Sequence, residues 1–228
     1  MSVRALLLDF NGILVDDEPV HCELLREVLI AEGIPLSVEE YYDRYLGYDD
    51  RGVLTRAFEA AGRTLSPEHG DRLVARKADI YLRRMTRDGF PFFPGAEETL
   101  RWALDRYAVA VVSGALRQEI EGALEQVRLR PRLAAIIAAE DAISKPSPDG
   151  YLLGLAALRD RLGATLATQH VLAVEDSPAG IRAARDAGLP VVGVSQTYAP
   201  ESLTQAHHVV ARVDELPALL EGLHSPLV

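Results

Sequence analysis

Acidic side chains that could carry out chemistry follow two short apolar runs of the sequence. Asp9 comes directly after the apolar residues 5–8. The adjacent Glu175 and Asp176 come directly after residues 171–174. Neighbouring carboxylates followed by small residues offer the oxygen ligands that a hard cation prefers. Each feature also has a structural alternative, because acids complement the dipole at the start of a helix and an aspartate is common in turns.

Groups that could bind an anion occur at two further positions. Ser113 and Gly114 follow residues 109–112 and precede a helical pattern, so a hydroxyl and free backbone N–H groups could bind a phosphate oxygen. Lys145 precedes two prolines, Pro146 and Pro148, in the loop 144–149, where its ammonium could neutralise a phosphate or a carboxylate. The structural alternatives are a helix N-cap for the serine and a solvated loop residue for the lysine.

Short apolar runs that alternate with helical patterns must position these side chains. The runs have the length of strands and cover residues 5–8, 109–112, 133–138, 171–174, 191–194 and 208–211. The helical patterns cover residues 96–105, 117–127, 151–162 and 178–187, and the stretch after Asp214. Near-continuous apolar strands are typical of a parallel sheet with both faces covered. The alternation therefore predicts an α/β fold with a doubly wound, Rossmann-like parallel sheet, which binds ligands at the carboxyl ends of its strands.

One stretch of the chain interrupts this alternation. It contains only helical patterns, at residues 20–32, 38–47, 51–61 and 67–87, separated by glycines and prolines. We therefore predict two domains: an α/β core of residues 1–16 and 94–228, and an all-helical cap domain of residues 17–93 inserted directly after the first strand.

Composition excludes several classes of function. The 228 residues include 24 Lys and Arg against 34 Asp and Glu, and the net charge of −10 argues against nucleic-acid and anionic-membrane partners. Cys22 is the single cysteine, so the chain can form neither an intrachain disulfide nor a thiolate zinc site. No apolar run approaches the ~18 residues of a membrane span, and Asp9 interrupts any signal-peptide core. We expect a cytoplasmic protein, with its oligomeric state, monomer or weak dimer, left open.

The candidate residues occur in a fixed order along the chain, and as a set they carry a family resemblance. The sequence resembles the haloacid dehalogenase-like hydrolases, in particular their β-phosphoglucomutase-like phosphatase and mutase branch. The matching blocks are Asp9-Phe10-Asn11-Gly12, Ser113, Lys145-Pro146 and Glu175-Asp176-Ser177-Pro178-Ala179-Gly180. The resemblance covers essentially the whole chain, including the helical insert.

The resemblance implies phosphoryl transfer through an aspartyl-phosphate, with Asp9 as the nucleophile. It also implies a Mg²⁺ cofactor, whose ligands would be Asp9, the backbone carbonyl of Asn11 and Asp176, with Glu175 in support. The substrate would be a small phosphorylated metabolite, such as a sugar phosphate.

The remaining implied roles concern the phosphate group and the cap. Ser113, the Gly114 N–H and Lys145 would hold the phosphoryl oxygens and balance the developing charge. The cap would exclude water and select the substrate. Candidate substrate contacts in the cap and hinge are His21, Arg51 and Lys77, for each of which a solvated or structural role is the alternative.

The sequence departs from the family pattern at Asn11. Phosphatases and mutases of this family carry a second aspartate there, which exchanges a proton with the leaving group and with the attacking water. An amide donates hydrogen bonds but exchanges no proton near neutral pH. Loss of a general acid or base costs about 10²–10⁴-fold in rate, so Asn11 predicts reduced turnover.

Three interpretations of Asn11 stay open at this point. The protein could be a slow phosphatase that favours acyl or aryl phosphates, or a phospho-ligand-binding homologue without turnover. In the third, Asp16, Asp17 or His21 supplies the proton. A β-phosphoglucomutase-like phosphosugar mutase is a further alternative. Dehalogenation is disfavoured, because the set of Lys145 and the Glu175-Asp176 pair suits phosphate and Mg²⁺.

Overall fold

The computed structural model describes residues 3–224 of the chain. Within that range, six strands and nine α-helices occur in chain order. They are β1 (Ala5–Leu8), α1 (Glu18–Ala31), α2 (Val38–Arg44), α3 (Asp50–Ala60), α4 (Pro67–Asp88), α5 (Ala96–Arg106), β2 (Ala108–Val112), α6 (Arg117–Gln126), β3 (Ala135–Ile137), α7 (Asp149–Leu162), β4 (Val171–Glu175), α8 (Pro178–Asp186), β5 (Val191–Val194), β6 (His208–Val210) and α9 (Leu216–His224).

The chain forms two compact units. The first joins the residues up to Asp16 with those from Pro91 onward, and the second is Asp17–Phe90. The chain returns to the first unit at Pro91, three residues before the predicted return at residue 94. The reason is local pairing, because Asp16 N donates to Pro91 O at 2.7 Å and Phe93 N donates to Leu14 O at 3.0 Å.

The first unit is built on a six-stranded parallel sheet in the order β3-β2-β1-β4-β5-β6. Every residue of β1, β4 and β5 is buried. Since successive side chains of a strand point to opposite faces, both faces of the central sheet are covered. The predicted doubly wound α/β fold is confirmed.

The sheet order predicts a ligand crevice between β1 and β4. The chain proceeds from β1 to β2 and β3 on one side, and from β4 to β5 and β6 on the other. Open α/β sheets bind ligands at the carboxyl ends of the strands where this direction reverses. Leu8 pairs with Val174, so Asp9 and Glu175 continue their strands side by side at that point.

Strand β3 is shorter than the predicted run of residues 133–138. A 3₁₀ turn at Arg130–Arg132 precedes the strand. At the other end, Ala138 N donates to Asp141 Oδ2 at 2.8 Å, which ends the ladder after Ile137. Local turn chemistry therefore removes the outer residues of the apolar run from the sheet.

The second unit packs α1, α2, α3 and α4 around its own apolar interior. Its buried side chains include Leu25, Leu29, Leu54, Phe58 and Leu73. The helix starts follow ordinary N-cap chemistry, in which a side-chain oxygen accepts a backbone N–H of the first turn: Ser37 caps α2, Asp49 caps α3 and Ser66 caps α4. Within residues 3–224, no helix combines the length and the apolar character needed to cross a membrane. The cytoplasmic location and the oligomeric state stay predictions.

Candidate active site

Asp9 lies at the carboxyl end of β1 and is almost fully buried, with 7% of its surface exposed. Its backbone N–H donates to Val174 O at 3.0 Å and continues the pairing of β1 with β4. Its carboxylate oxygen Oδ1 accepts the Phe10 N–H at 2.7 Å. Backbone geometry therefore fixes the orientation of this carboxylate at the mouth of the crevice.

The turn after Asp9 requires glycine at position 12. Gly12 has a φ of +74°, in the left-handed region that glycine adopts without strain. A Cβ at this position would lie 1.9 Å from Asp176 Oδ2, so no side chain fits. The close approach places the backbone that follows Asn11 directly against the Asp176 carboxylate, just after the end of β4.

Three buried carboxylates converge in the crevice. Ligand oxygens of Asp9, Glu175 and Asp176 all lie within 4.8 Å of one another. Burial, followed by the charges of the other two carboxylates, raises the pKa of Asp176 well above its usual range. A hard divalent cation would relieve this repulsion, and carboxylate oxygens are the ligands that Mg²⁺ binds. The residues present therefore fit the Mg²⁺ that the family resemblance implies.

Lys145 bridges two of these carboxylates. Its Nζ lies 2.8 Å from Asp9 Oδ2 and 2.6 Å from Glu175 Oε1. Burial lowers the pKa of Lys145, but the charges of Asp9 and Glu175 outweigh that effect and raise it above its usual range. The lysine is therefore a permanent ammonium beside Asp9, where it can balance the charge of a phosphoryl group.

Glu175 has two further partners that the sequence analysis missed. Tyr151 OH donates to Glu175 Oε1 at 2.5 Å, and Ser177 Oγ donates to Oε2 at 3.3 Å. Both oxygens of Glu175 are thus engaged by the protein, which suits a role in support of Lys145. A tyrosine in an apolar helical pattern is typical of a core residue, so the sequence carries no signal for this contact.

The end of β2 contributes Ser113, which lies beside the turn after Asp9. Ser113 Oγ donates to Asn11 Oδ1 at 3.3 Å and accepts the Ala115 N–H at 3.2 Å. Ser113, Gly114 and Lys145 line one common pocket. The structure thus brings together the three residues for which the sequence predicts phosphate binding, and that role stays a prediction.

The loop after β5 forms hydrogen bonds with the turn after Asp9 and with Asp176, and the sequence analysis also missed these contacts. Gln196 Nε2 donates to Gly12 O at 3.0 Å, while its Oε1 accepts the Val213 N–H at 2.8 Å. The Thr197 hydroxyl forms a hydrogen bond with Asp176. The sequence does carry a signal for them, because Gln196 and Thr197 follow closely after a predicted strand, at the edge of the sheet where ligands bind.

The candidate substrate contacts all lie in the second unit. His21 Nδ1 is 2.5 Å from Lys77 Nζ, and the same Nζ is 3.0 Å from Asp50 Oδ2. The imidazole Nε2 lies 3.2 Å from Asp17 Oδ2. Burial and the charge of Lys77 lower the pKa of His21, but the Asp17 and Asp50 carboxylates outweigh both effects and raise it to about 10.

Arg51 is separate from this cluster. It is half-exposed and forms an ion pair with Asp71. Lys77, in contrast, is fully buried. The structure therefore brings two of the three predicted substrate contacts together and leaves the third on the surface of the unit. Their role in substrate binding stays a prediction.

Known proteins with similar sequences or structures share this architecture. Residues 3–188 match the haloacid dehalogenase-like hydrolase family. The chain is 32% identical over 202 residues to the phosphoglycolate phosphatase of Caulobacter vibrioides, a match that covers 88% of this chain and 83% of that protein. A haloacid dehalogenase-like protein of unknown function from Agrobacterium tumefaciens has a solved structure with a TM-score of 0.72 and 28% identity, covering 98% of this chain and 100% of that chain.

The fold is also that of β-phosphoglucomutase from Clostridium difficile, with a TM-score of 0.81, 21% identity and 96% of each chain covered. The family match extends from before β1 to the end of α8 and so includes Asp9, Ser113, Lys145 and Asp176. The chain belongs to the haloacid dehalogenase-like hydrolases.

Proposed function

We propose that this protein is a phosphatase that acts on a small phosphorylated metabolite, with Asp9 as its nucleophile. The observation that carries the proposal is the buried Asp9 carboxylate, which has Lys145 Nζ 2.8 Å from Oδ2 and two further carboxylates beside it. The relative from Caulobacter vibrioides is named for phosphoglycolate, so short phosphorylated acids join sugar phosphates as substrate classes to test.

The proposed reaction has two displacements at phosphorus. An Asp9 carboxylate oxygen attacks the phosphorus as the ester P–O bond breaks, which forms an aspartyl-phosphate and releases the alcohol oxygen as an anion. Water then attacks the phosphorus of the aspartyl-phosphate, which releases inorganic phosphate and restores the carboxylate. The Lys145 ammonium and the Ser113 hydroxyl stabilise the charge that develops on the phosphoryl oxygens.

The residues that would hold a Mg²⁺ ion are Asp9, Asp176 and the backbone carbonyl of Asn11, with Glu175 in support. When bound, the ion neutralises the negative charge of the phosphate group as it approaches the carboxylates. The close spacing of three buried carboxylates and the raised pKa of Asp176 support this assignment.

Position 11 offers no donor for the proton that the leaving oxygen needs. Asn11 accepts a hydrogen bond from Ser113 and cannot release a proton near neutral pH. We therefore propose that turnover is slow for alkyl phosphates and faster for aryl or acyl phosphates, whose leaving groups depart as stable anions.

A second candidate function follows from the same residue. Without a proton donor the protein could bind a phosphorylated ligand and leave it intact. A phosphosugar mutase would need the same proton transfer, so Asn11 counts against that alternative as well. The binding function and the slow phosphatase differ in one observable, the release of the leaving group.

The test compares the natural chain with Asn11→Asp and Asp9→Asn. Release of phosphate would be measured with and without Mg²⁺ from an aryl phosphate, phosphoglycolate and a hexose phosphate. We expect Asn11→Asp to raise the rate by about 10²–10⁴-fold for the alkyl phosphates and by less for the aryl phosphate. Asp9→Asn should abolish release from all of them.

Equal rates for the natural chain and Asn11→Asp would mean that another side chain, such as Asp16, Asp17 or His21, supplies the proton. Phosphate release that persists in Asp9→Asn would contradict the assignment of Asp9 as the nucleophile. Saturable binding of a phosphorylated ligand without any release in the natural chain would favour the binding function.

A further inference from the structure

We infer that Thr197 is a positioning residue for the cation site, and that its hydroxyl orients the Asp176 carboxylate toward the metal. The inference rests on the proposed function, because it concerns the same Mg²⁺ site. Thr197 lies in the loop after β5, outside the motif blocks that carry the family resemblance.

Three groups converge where Thr197 meets the site. A Cβ placed on Gly12 would lie 1.9 Å from Asp176 Oδ2 and 2.7 Å from Thr197 Oγ1. The threonine hydroxyl and the aspartate carboxylate are hydrogen-bonded to each other. The turn that carries Asn11 thus packs against both partners of this hydrogen bond.

The two residues that precede Thr197 anchor its loop. Ser195 N donates to Val210 O at 2.9 Å, which ties the end of β5 to β6. The Gln196 side chain joins Gly12 O, at 3.0 Å, to Val213 N, at 2.8 Å. Because its neighbours are held in this way, the threonine presents its hydroxyl to Asp176 in a defined direction.

Asp176 needs such a partner because the neighbouring carboxylates would otherwise rotate its side chain away from the site. The Asp9 and Glu175 carboxylates lie close by and repel it, whereas Lys145 forms its ion pairs with those two groups. A hydroxyl that donates to one carboxylate oxygen leaves the other oxygen available as a metal ligand. Loss of a hydrogen bond that orients a metal ligand typically lowers metal affinity about 10–100-fold.

The test measures Mn²⁺ binding to the full chain by calorimetry, without substrate. Thr197→Val removes the hydroxyl and keeps the shape of the side chain, whereas Thr197→Ser keeps the hydroxyl. We expect the Mn²⁺ dissociation constant to rise about 10–100-fold in Thr197→Val and to stay within about threefold of the natural value in Thr197→Ser. The melting temperatures of the metal-free proteins serve as a control for folding.

Thr197→Ala repeats the measurement if the valine variant fails to fold. Equal Mn²⁺ affinity of the natural chain and the hydroxyl-free variant would overturn the role of Thr197 and leave the proposed function standing. A serine variant as weak as the valine variant would also overturn it. Absence of Mn²⁺ binding to the natural chain would overturn the cation site itself, and this inference with it.

Discussion

Asn11 places a neutral amide two residues beyond Asp9, with its Oδ1 3.3 Å from Ser113 Oγ. A carboxylate at this position could accept the same hydrogen bond and also exchange a proton. The two steps of the proposed reaction both need that exchange, first to the leaving oxygen and then from the attacking water. The consequence of Asn11 therefore depends on which step the leaving group makes easy.

An aryl phosphate should separate the two steps. Its phenolate leaves without protonation, so the aspartyl-phosphate on Asp9 forms quickly, whereas its hydrolysis still lacks a base. We expect a burst of about one phenolate per protein, followed by slow steady release. Stopped-flow absorbance with p-nitrophenyl phosphate measures the burst, and intact-protein mass spectrometry detects the phosphoryl group.

Two variants control this experiment. Asn11→Asp should lose the burst, because hydrolysis of the intermediate then keeps pace with its formation. Asp9→Asn should release no phenolate at all. Linear release without a burst from the natural chain would contradict the expectation that hydrolysis is the slow step.

Tyr151→Phe tests the support of Glu175. The variant removes the donor that lies 2.5 Å from Glu175 Oε1 in a fully buried site. Hydrogen bonds to charged groups contribute about 1.5–3 kcal/mol, so we expect the free energy of unfolding to fall by roughly that amount. Urea unfolding measures the change. Tyr48→Phe, at an exposed tyrosine, is the matched control and should change stability by less than about 0.5 kcal/mol.

At the level of elements, the end of α6 has a non-glycine residue in a left-handed conformation. Arg128 has a φ of +59°. Arg128 N donates to Glu125 O at 3.0 Å and Leu129 N donates to Leu124 O at 2.9 Å, which is the hydrogen-bond pattern of a Schellman motif. Glycine is the usual residue at this position, because a Cβ disfavours the left-handed region.

Arg128→Gly should therefore stabilise the first unit. Relief of the backbone strain outweighs the greater freedom of glycine in the unfolded chain, and we expect a gain of about 0.5–1 kcal/mol. Thermal unfolding measures the gain. Arg128→Ala keeps the Cβ and should change stability little, so equal effects of the two variants would show that the side chain, and not the backbone, matters there.

At the scale of the whole molecule, each unit has its own buried charge cluster. In the second unit, burial raises the pKa of Asp50, but Lys77 and His21 outweigh that effect and lower it to about 2. Because the folded pKa lies below the unfolded value of 3.8, Asp50 stabilises the folded state above pH 4. This contribution is lost as the pH falls from about 4 toward 2.

Asp50→Asn should reveal this contribution. We expect lower stability at pH 7, because Lys77 stays buried without its carboxylate, and a smaller loss of stability between pH 4 and pH 2. Urea unfolding followed by circular dichroism at several pH values measures both effects. Asp71→Asn removes an exposed partner of Arg51 and should leave the loss of stability between pH 4 and pH 2 unchanged. If Asp50→Asn and the natural chain lost equal stability between pH 4 and pH 2, the lowered pKa could not belong to Asp50.

The sequence by itself determined the sheet and the helical insert, and it predicted the residues of the candidate site. Apolar runs of strand length alternate with amphipathic segments, and that local pattern is enough to predict β1 and β5 at their observed bounds. Asp9, Ser113 and Glu175 could be predicted to meet, because parallel strands end at one edge of a sheet. The bounds of β3 could not be predicted, because the Asp141 side chain in the next turn ends the pairing of β3 with β2.

Only the tertiary structure decided which side chains surround those residues. Tyr151 is 24 residues from Glu175 along the chain, and Lys77 is 56 residues from His21. The pairing of Thr197 with Asp176 likewise joins two loops. Local periodicity specifies which face of an element is buried, but not which residue of another element lies opposite. That choice follows from the packing of the whole unit, and with it the environment that sets each charge in the site.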